Sequence, residues 1–324
     1  MADDVLTSGN QSRAAWLDAV RGVAVIAMVF YHFCWDLSHF GLIATDVAFD
    51  PGWRFFAQSI AASFLGISGI SLALANMSGF AQKVYFRRVG IVAGAALLVT
   101  IGSWFAFPDR YIFFGILHCI AASSLIAAVF LRAPLWLTGL AAMISFALPQ
   151  LFSSEAFNHH ALIWLGLGLR LPATNDFVPL FPWLGFVLLG LAVARIAIMR
   201  ELFSFGGPQT WLSHLGQWSL PIYLVHQPVL FAAFLGASQI GLFGSATETN
   251  GFVSSCTAEC RIAGVDHVLC ARSCSCTADA LRQLPIWPHV QRGSLDGAQQ
   301  TIVAQTGQQC FEDAVKNTEM SRKP

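Results

Sequence analysis

The chain has 324 residues, 56% of them hydrophobic and only 11% charged, with zero formal net charge and a mean hydropathy of +0.61. A soluble domain carries about 25% charged residues, so this composition excludes an ordinary water-soluble fold and points to a chain that lies mostly in lipid. No Lys/Arg-rich block is present, which argues against a nucleic-acid partner.

The start Met-Ala-Asp-Asp lacks the basic region of a signal peptide, so the first apolar span is expected to stay as an anchor. Residues 1–15 are expected to form an N-terminal cytoplasmic segment. Segments of sufficient length and apolarity then predict about seven spans, roughly 16–38, 55–76, 89–107, 112–131, 135–152, 180–199 and 214–236. Ala161–Leu169 is apolar but too short to cross, and is expected at the interface or as a re-entrant turn. The fold class predicted is all-α, a polytopic transmembrane helix bundle over 16–243, followed by a small cysteine-rich extramembrane segment over 244–324.

The first span carries charges that topology does not require. Asp18 and Arg21 lie three apart, and His32 and Asp36 four apart, so each pair shares a helix face. An ionisable residue inside a membrane span costs about 2.5–3.5 kcal/mol on insertion scales and by default marks function. His118 in the fourth span and His226 in the seventh are further histidines at membrane depth. For any one of them, the simpler alternative is an imidazole satisfied by a neighbouring carbonyl or hydroxyl.

Lys83, Arg87 and Arg88 cluster between the second and third spans. Basic residues mark cytoplasmic connectors. With the N-terminus inside, Arg13, Lys83, Arg87, Arg88, Arg132, Arg195 and Arg200 lie inside, against Arg54, Arg110 and Arg170 outside. An odd number of spans then puts the tail outside. Arg21 lies within a span, where its guanidinium suits either bidentate phosphate contacts or a structural pair with Asp18.

Six of the eight cysteines fall between Cys256 and Cys310. An even number in a short polar segment reads as a disulfide framework in an oxidising compartment, with a zinc site as the competing reading. Two C-x3-C pairs flank the turn-prone Ala263-Gly-Val-Asp266. Lying antiparallel, they would pair Cys256 with Cys274 and Cys260 with Cys270, leaving Cys276 for Cys310. This is one of 15 pairings that six cysteines allow.

Several stretches carry a family resemblance. They are Leu17-Asp-Ala-Val-Arg-Gly-Val-Ala24, Met28-Val-Phe-Tyr-His-Phe-Cys-Trp-Asp36, Phe64-Leu-Gly-Ile-Ser-Gly-Ile-Ser71, Phe114-Gly-Ile-Leu-His118, Val178-Pro-Leu-Phe-Pro-Trp-Leu-Gly185 and Ser219-Leu-Pro-Ile-Tyr-Leu-Val-His-Gln-Pro228. In this order, over roughly residues 13–236, they resemble bacterial membrane proteins related to heparan-α-glucosaminide N-acetyltransferase. The cysteine-rich tail is not part of that pattern.

The resemblance implies a cytoplasmic acetyl-CoA or other acyl-CoA as co-substrate, no metal, and a glycan or small-molecule acceptor at or beyond the membrane. It also implies a location in a bacterial inner membrane. On the chemistry of direct acyl transfer, His32 would act as base with Asp36 fixing its tautomer, and His118 or His226 would polarise the thioester or hold the acceptor. Arg21, Arg87 and Arg88 would hold the CoA phosphates. The animal enzyme's proposed histidine lies nearer in position to His39, so His32 and His39 are rival candidates. A proton-coupled transporter and a haem-binding electron carrier, with two of the histidines as axial ligands, are the alternatives from other classes.

Overall fold

The computed structural model describes residues 15–43, 45–48, 50–77, 81–201, 209–240, 242, 245–291 and 295–320. The expected N-terminal segment, Arg13 included, lies outside these residues except for Ala15. The described residues form helices joined by turns and short 3-10 segments, with a single isolated bridge between Phe114 and Phe177. The fold is all-α, with apolar helices in the first part of the chain and a disulfide-linked group at its end.

Among the described residues, five helices are long and apolar enough to cross a membrane. They are α1 (Ala15–His39), α2 (Pro51–Met77), α3 (Gln82–Ala106), α6 (Leu180–Met199) and α8 (Ser219–Gln239). Their apolar exposure has the look of lipid-facing surface. On α3 alone, Leu97, Leu98, Trp104 and Phe105 are each more than half exposed. The expected spans at 112–131 and 135–152 form shorter apolar helices, α4 (Ile116–Val129) and α5 (Leu135–Leu151). At 1.5 Å per residue these reach about 21 and 26 Å, against a hydrocarbon core of about 30 Å.

The shortening of α4 has a local cause. Ile112 is held outside the helix, its N–H donating to Ser103 Oγ and its carbonyl accepting from Thr100 Oγ1, and Phe114 accepts the amide of Val178. The helix therefore starts only after Gly115. The expected span at 214–236 is likewise divided at Trp218, with α7 (Trp211–Gln217) before α8. Thr210 and Ser213 exchange side-chain and backbone bonds at the start of α7. Pro221 falls in the first turn of α8, where its missing N–H leaves no helix bond unmade. The segment around Ala161–Leu169 contains one 3-10 turn, Ile163–Leu165, rather than a helix.

The described residues divide into two compact units. The first comprises residues up to Met28 with Gln58–Val225, and the second Val29–Ala57 with His226 onward; α1, α2 and α8 contribute to both. In the first unit, α3 packs on α4, α4 on α6, and α5 on α6, around fully buried Leu65, Cys119, Val187, Leu188 and Leu191. Small residues bring backbones together where lipid supplies no hydrophobic drive. A Cβ on Gly69 would sit 2.0 Å from the carbonyl oxygen of Val187, and one on Gly190 2.2 Å from that of Gly66. Arg195 on α6 ties the α4–α5 connector down, donating to the carbonyls of Phe130 and Ala133.

The second unit holds the tail. Here α9 (Ser245–Ile262), α10 (His267–Arg282), α11 (Trp287–Gln291) and α12 (Gly297–Met320) follow one another, with α10 packed on both α9 and α12. The disulfides are Cys256–Cys274, Cys260–Cys270 and Cys276–Cys310, the pairing expected of an antiparallel C-x3-C hairpin. Gly264, at φ +85°, turns the chain between α9 and α10, and Asp266 caps α10 by accepting the amides of Val268 and Leu269. Polar helices of this kind bury little apolar surface, and each cross-link contributes on the order of 2–4 kcal/mol by restricting the unfolded chain.

Two measurements check this packing. Gly69→Leu should lower the stability of detergent-solubilised protein by about 1–3 kcal/mol, the cost of overpacking, read as a fall in thermal midpoint. Asp176, in the loop before α6, accepts the first amide of α4, yet burial pushes its carboxyl up to about 6. The folded protein thus holds a proton there that the unfolded chain releases near pH 4, so this group lowers stability as pH rises from about 4 to 6. Asp176→Asn should therefore raise the thermal midpoint at pH 8 and leave it unchanged at pH 4.

Candidate active site

In the first unit, a cavity of about 1210 Å³ is bordered by all three arginines expected to bind a donor, Arg21, Arg87 and Arg88. Arg21 comes from α1, and its position is set by buried partners. Its guanidinium donates to Asp18 Oδ1 at 2.6 Å and to Ser71 Oγ on α2, and Ser71 in turn donates to the carbonyl of Ile67. Asp18 is 1% exposed. A buried carboxylate is tolerated only when paired, so the Asp18–Arg21 pair is structural and also holds a cation at the cavity wall.

The close approach of α7 completes this corner. A Cβ on Gly216 would lie 1.7 Å from the carbonyl oxygen of Asp18. Arg87 and Arg88, on the first turns of α3, are exposed beside the same cavity. Tyr85 joins this wall with its hydroxyl bonded to the carbonyl of Ser124. Phosphates favour such a site, because guanidinium groups give charge-assisted, often bidentate, hydrogen bonds.

The second unit brings His32 and His226 together, with ring centroids 4.9 Å apart and planes at 60°. Asp36, fully buried, accepts a hydrogen bond from Gln227 Nε2 at 3.0 Å. The expected partnership of Asp36 with His32 is therefore corrected: among the described residues, the bond goes to Gln227. The cause is helical geometry. His226 and Gln227 are neighbours on α8 and point about 100° apart, so one meets His32 while the other reaches Asp36 a turn further along α1. No donor among the described residues reaches Asp36 Oδ2 or Gln227 Oε1, both buried.

His39 has a different setting. Its ring stacks on Trp35 at 5.0 Å and 11° and packs against Phe40 and Phe231. His118 belongs to the first unit. Its Nδ1 accepts the amide of Gly115, and its Nε2 lies 3.2 Å from Thr100 Oγ1, whose own proton goes to the carbonyl of Ile112. Both ring nitrogens are thus engaged by the turn that starts α4.

Sequence reasoning missed Gln227 and Ser71, although both sit in quoted motifs, Gln227 beside His226 and Ser71 at the end of the Phe64 stretch. A polar side chain within an apolar span was the available signal. The histidine pair also bears on the haem alternative. Two imidazoles on opposite sides of one iron, each bound at ~2 Å, would have centroids more than about 6 Å apart. At 4.9 Å, His32 and His226 leave no room for a macrocycle between them.

Comparison with known proteins gives one family. Residues 13–228 match the family described as heparan-alpha-glucosaminide N-acetyltransferase, catalytic. No curated protein and no solved structure matches the chain. The match includes α1 with its Asp18–Arg21 pair, both histidines of the close pair, and Asp36 with Gln227, and it stops before the first tail helix. With two-thirds of its length so matched and its helices apolar enough for a membrane, the chain belongs to the heparan-alpha-glucosaminide N-acetyltransferase catalytic family of membrane acyltransferases.

Proposed function

We propose that the protein transfers an acetyl or related acyl group from a cytoplasmic acyl-CoA to an amino-sugar, other glycan or small-molecule acceptor. The observation that carries this reading is the convergence of Arg21, Arg87 and Arg88 on one cavity in a chain of this family. Pockets for drug-sized ligands run from about 300 to 1,000 Å³. A cavity of 1210 Å³ bordered by three guanidinium groups suits a larger ligand with several phosphates. Such a ligand is CoA.

In the transfer, the acceptor nitrogen or oxygen attacks the thioester carbonyl and loses a proton. The carbon–sulfur bond breaks, and CoA leaves as its thiol after taking a proton. His32 is the proposed base, because an imidazole can accept a proton near neutral pH. His226, beside it, would hold the acceptor. The Asp36–Gln227 bond is a positioning contact, fixing α1 to α8 where the two histidines face each other. Asp36 Oδ2 and Gln227 Oε1 would accept hydrogen bonds from acceptor N–H or O–H groups. His118, with both nitrogens engaged, would hold the start of α4 in place.

We further propose an inner-membrane location with the N-terminus cytoplasmic and the tail periplasmic. Seven basic residues against three favour that orientation. Three disulfides in the tail suit an oxidising compartment.

Two experiments test the reading. In the first, Arg88→Gln should weaken acetyl-CoA binding about 10- to 150-fold, equivalent to losing about 1.5–3 kcal/mol of charged hydrogen bonding. Arg21→Gln should do the same while also loosening α1. Unchanged affinity in the Arg88 variant would remove CoA from this cavity. In the second, His32→Ala should abolish acyl transfer and leave acetyl-CoA affinity as it was. Full activity in that variant would shift the base to another histidine.

A further inference from the structure

The tail lies beyond the family match, yet it is not packed on its own. Its helix α9 is fastened at two points to the end of α1 and the connector that follows. At one, Gly251 packs on the chain there, and a Cβ on it would sit in ordinary van der Waals contact with the carbonyl oxygen of His39 at 3.4 Å and the carbonyl carbon of Phe40 at 3.5 Å. At the other, Arg261 Nη1 lies 3.7 Å from Asp46 Oδ2.

Between these points, α9 is stapled to α10 by Cys256–Cys274 and Cys260–Cys270, and α10 to α12 by Cys276–Cys310. The connector is itself braced, since Ser38 Oγ donates to the carbonyl of Thr45 and accepts the amide of Val47. Phe40, against which α9 rests, stacks on Phe234 and packs on Phe231 and His39.

We infer that the stapled tail is a wall over the His39 end of α1, two helical turns beyond His32, and that it thereby selects which acceptors approach the histidines from that end. The inference rests on the proposed acyl-transfer reading for its functional half only. A partly exposed ion pair at 3.7 Å such as Arg261–Asp46 contributes little by itself. The disulfides make it effective, because three cross-links join α9, α10 and α12 into one piece that two weak contacts can hold as a unit. Separate polar helices held by the same contacts would fray. A Cβ at Gly251 would make ordinary van der Waals contact with His39 and Phe40, so only a side chain that reaches well beyond it, such as leucine, would wedge the wall away.

The test uses the full chain in detergent. Diethyl pyrocarbonate labels accessible imidazoles, and mass spectrometry reads His39 and His32 against the exposed His159 and His160 as internal standards. Gly251→Leu, Arg261→Glu and wild type treated with dithiothreitol are compared with untreated wild type. In the last treatment, three disulfides become six thiols and three dithiothreitol molecules are oxidised. Labelling of His39 should rise about 5-fold, the factor that accompanies losing about 1 kcal/mol of closing energy. The swap Asp46→Arg with Arg261→Asp should bring it back.

With acetyl-CoA present, the opened forms should gain transfer to bulky glycan acceptors relative to small amines, at unchanged acetyl-CoA affinity. Equal labelling of His39 in every form would overturn the wall, as would a rise at His118 matching that at His39, which would report general loosening. If no form transfers acetyl groups while the labelling changes as expected, the wall stands and the acyl-transfer reading fails.

Discussion

The structure depends on one constraint: a charge or strong dipole placed at membrane depth must be held by a partner, because lipid offers none. Asp18 meets it through Arg21, and Arg21 through Asp18 and Ser71. Asp36 meets it through Gln227. In both cases the partner comes from a different helix, or is braced by one, so the need to satisfy a polar group also decides which helices touch. The polar residues act as pins between otherwise interchangeable apolar surfaces.

That explains why the functional candidates sit where they do. The arginine needed at a cavity wall is present because a carboxylate and a serine hold it there, and Gly216 lets α7 close on the carboxylate's own backbone. The two histidines face each other because the Asp36–Gln227 bond fixes the rotation of α1 against α8. By the same logic His118 is fully committed, with Nδ1 taking the amide of Gly115 where α4 begins late and Nε2 paired with Thr100 Oγ1. A histidine in a span can thus serve the fold entirely, and only its partners distinguish the cases.

The tail obeys a different physics. Its helices are polar and have little apolar surface to bury, so covalent links take the place of a core. Its buried positions include three of the cysteines, Cys270, Cys274 and Cys310, with neighbours such as Ser273, Thr277, Ala278 and Leu281. Such a piece is cross-linked without being large, and it meets the end of α1 and the connector after it at Gly251 on His39 and at Arg261–Asp46.

The sequence alone determined the helical class, five of the seven expected apolar spans and the cysteine-rich tail, and its antiparallel hairpin suggested the disulfide pairing that the structure has, because these follow from local periodicity, composition and spacing. Hydropathy over about 20 residues is a local property, and two C-x3-C pairs around Gly264 leave an antiparallel hairpin few geometries. The arginines, too, were legible as cations with no topological need at Arg21. Tertiary structure decided the rest: that Asp36 bonds Gln227 rather than His32, that His226 is the histidine beside His32, and that α4 starts only at Ile116. Each of these depends on which face of one helix meets another, and that choice is made by long-range contacts such as the Asp36–Gln227 and Phe114–Val178 hydrogen bonds, which no spacing within a single span encodes.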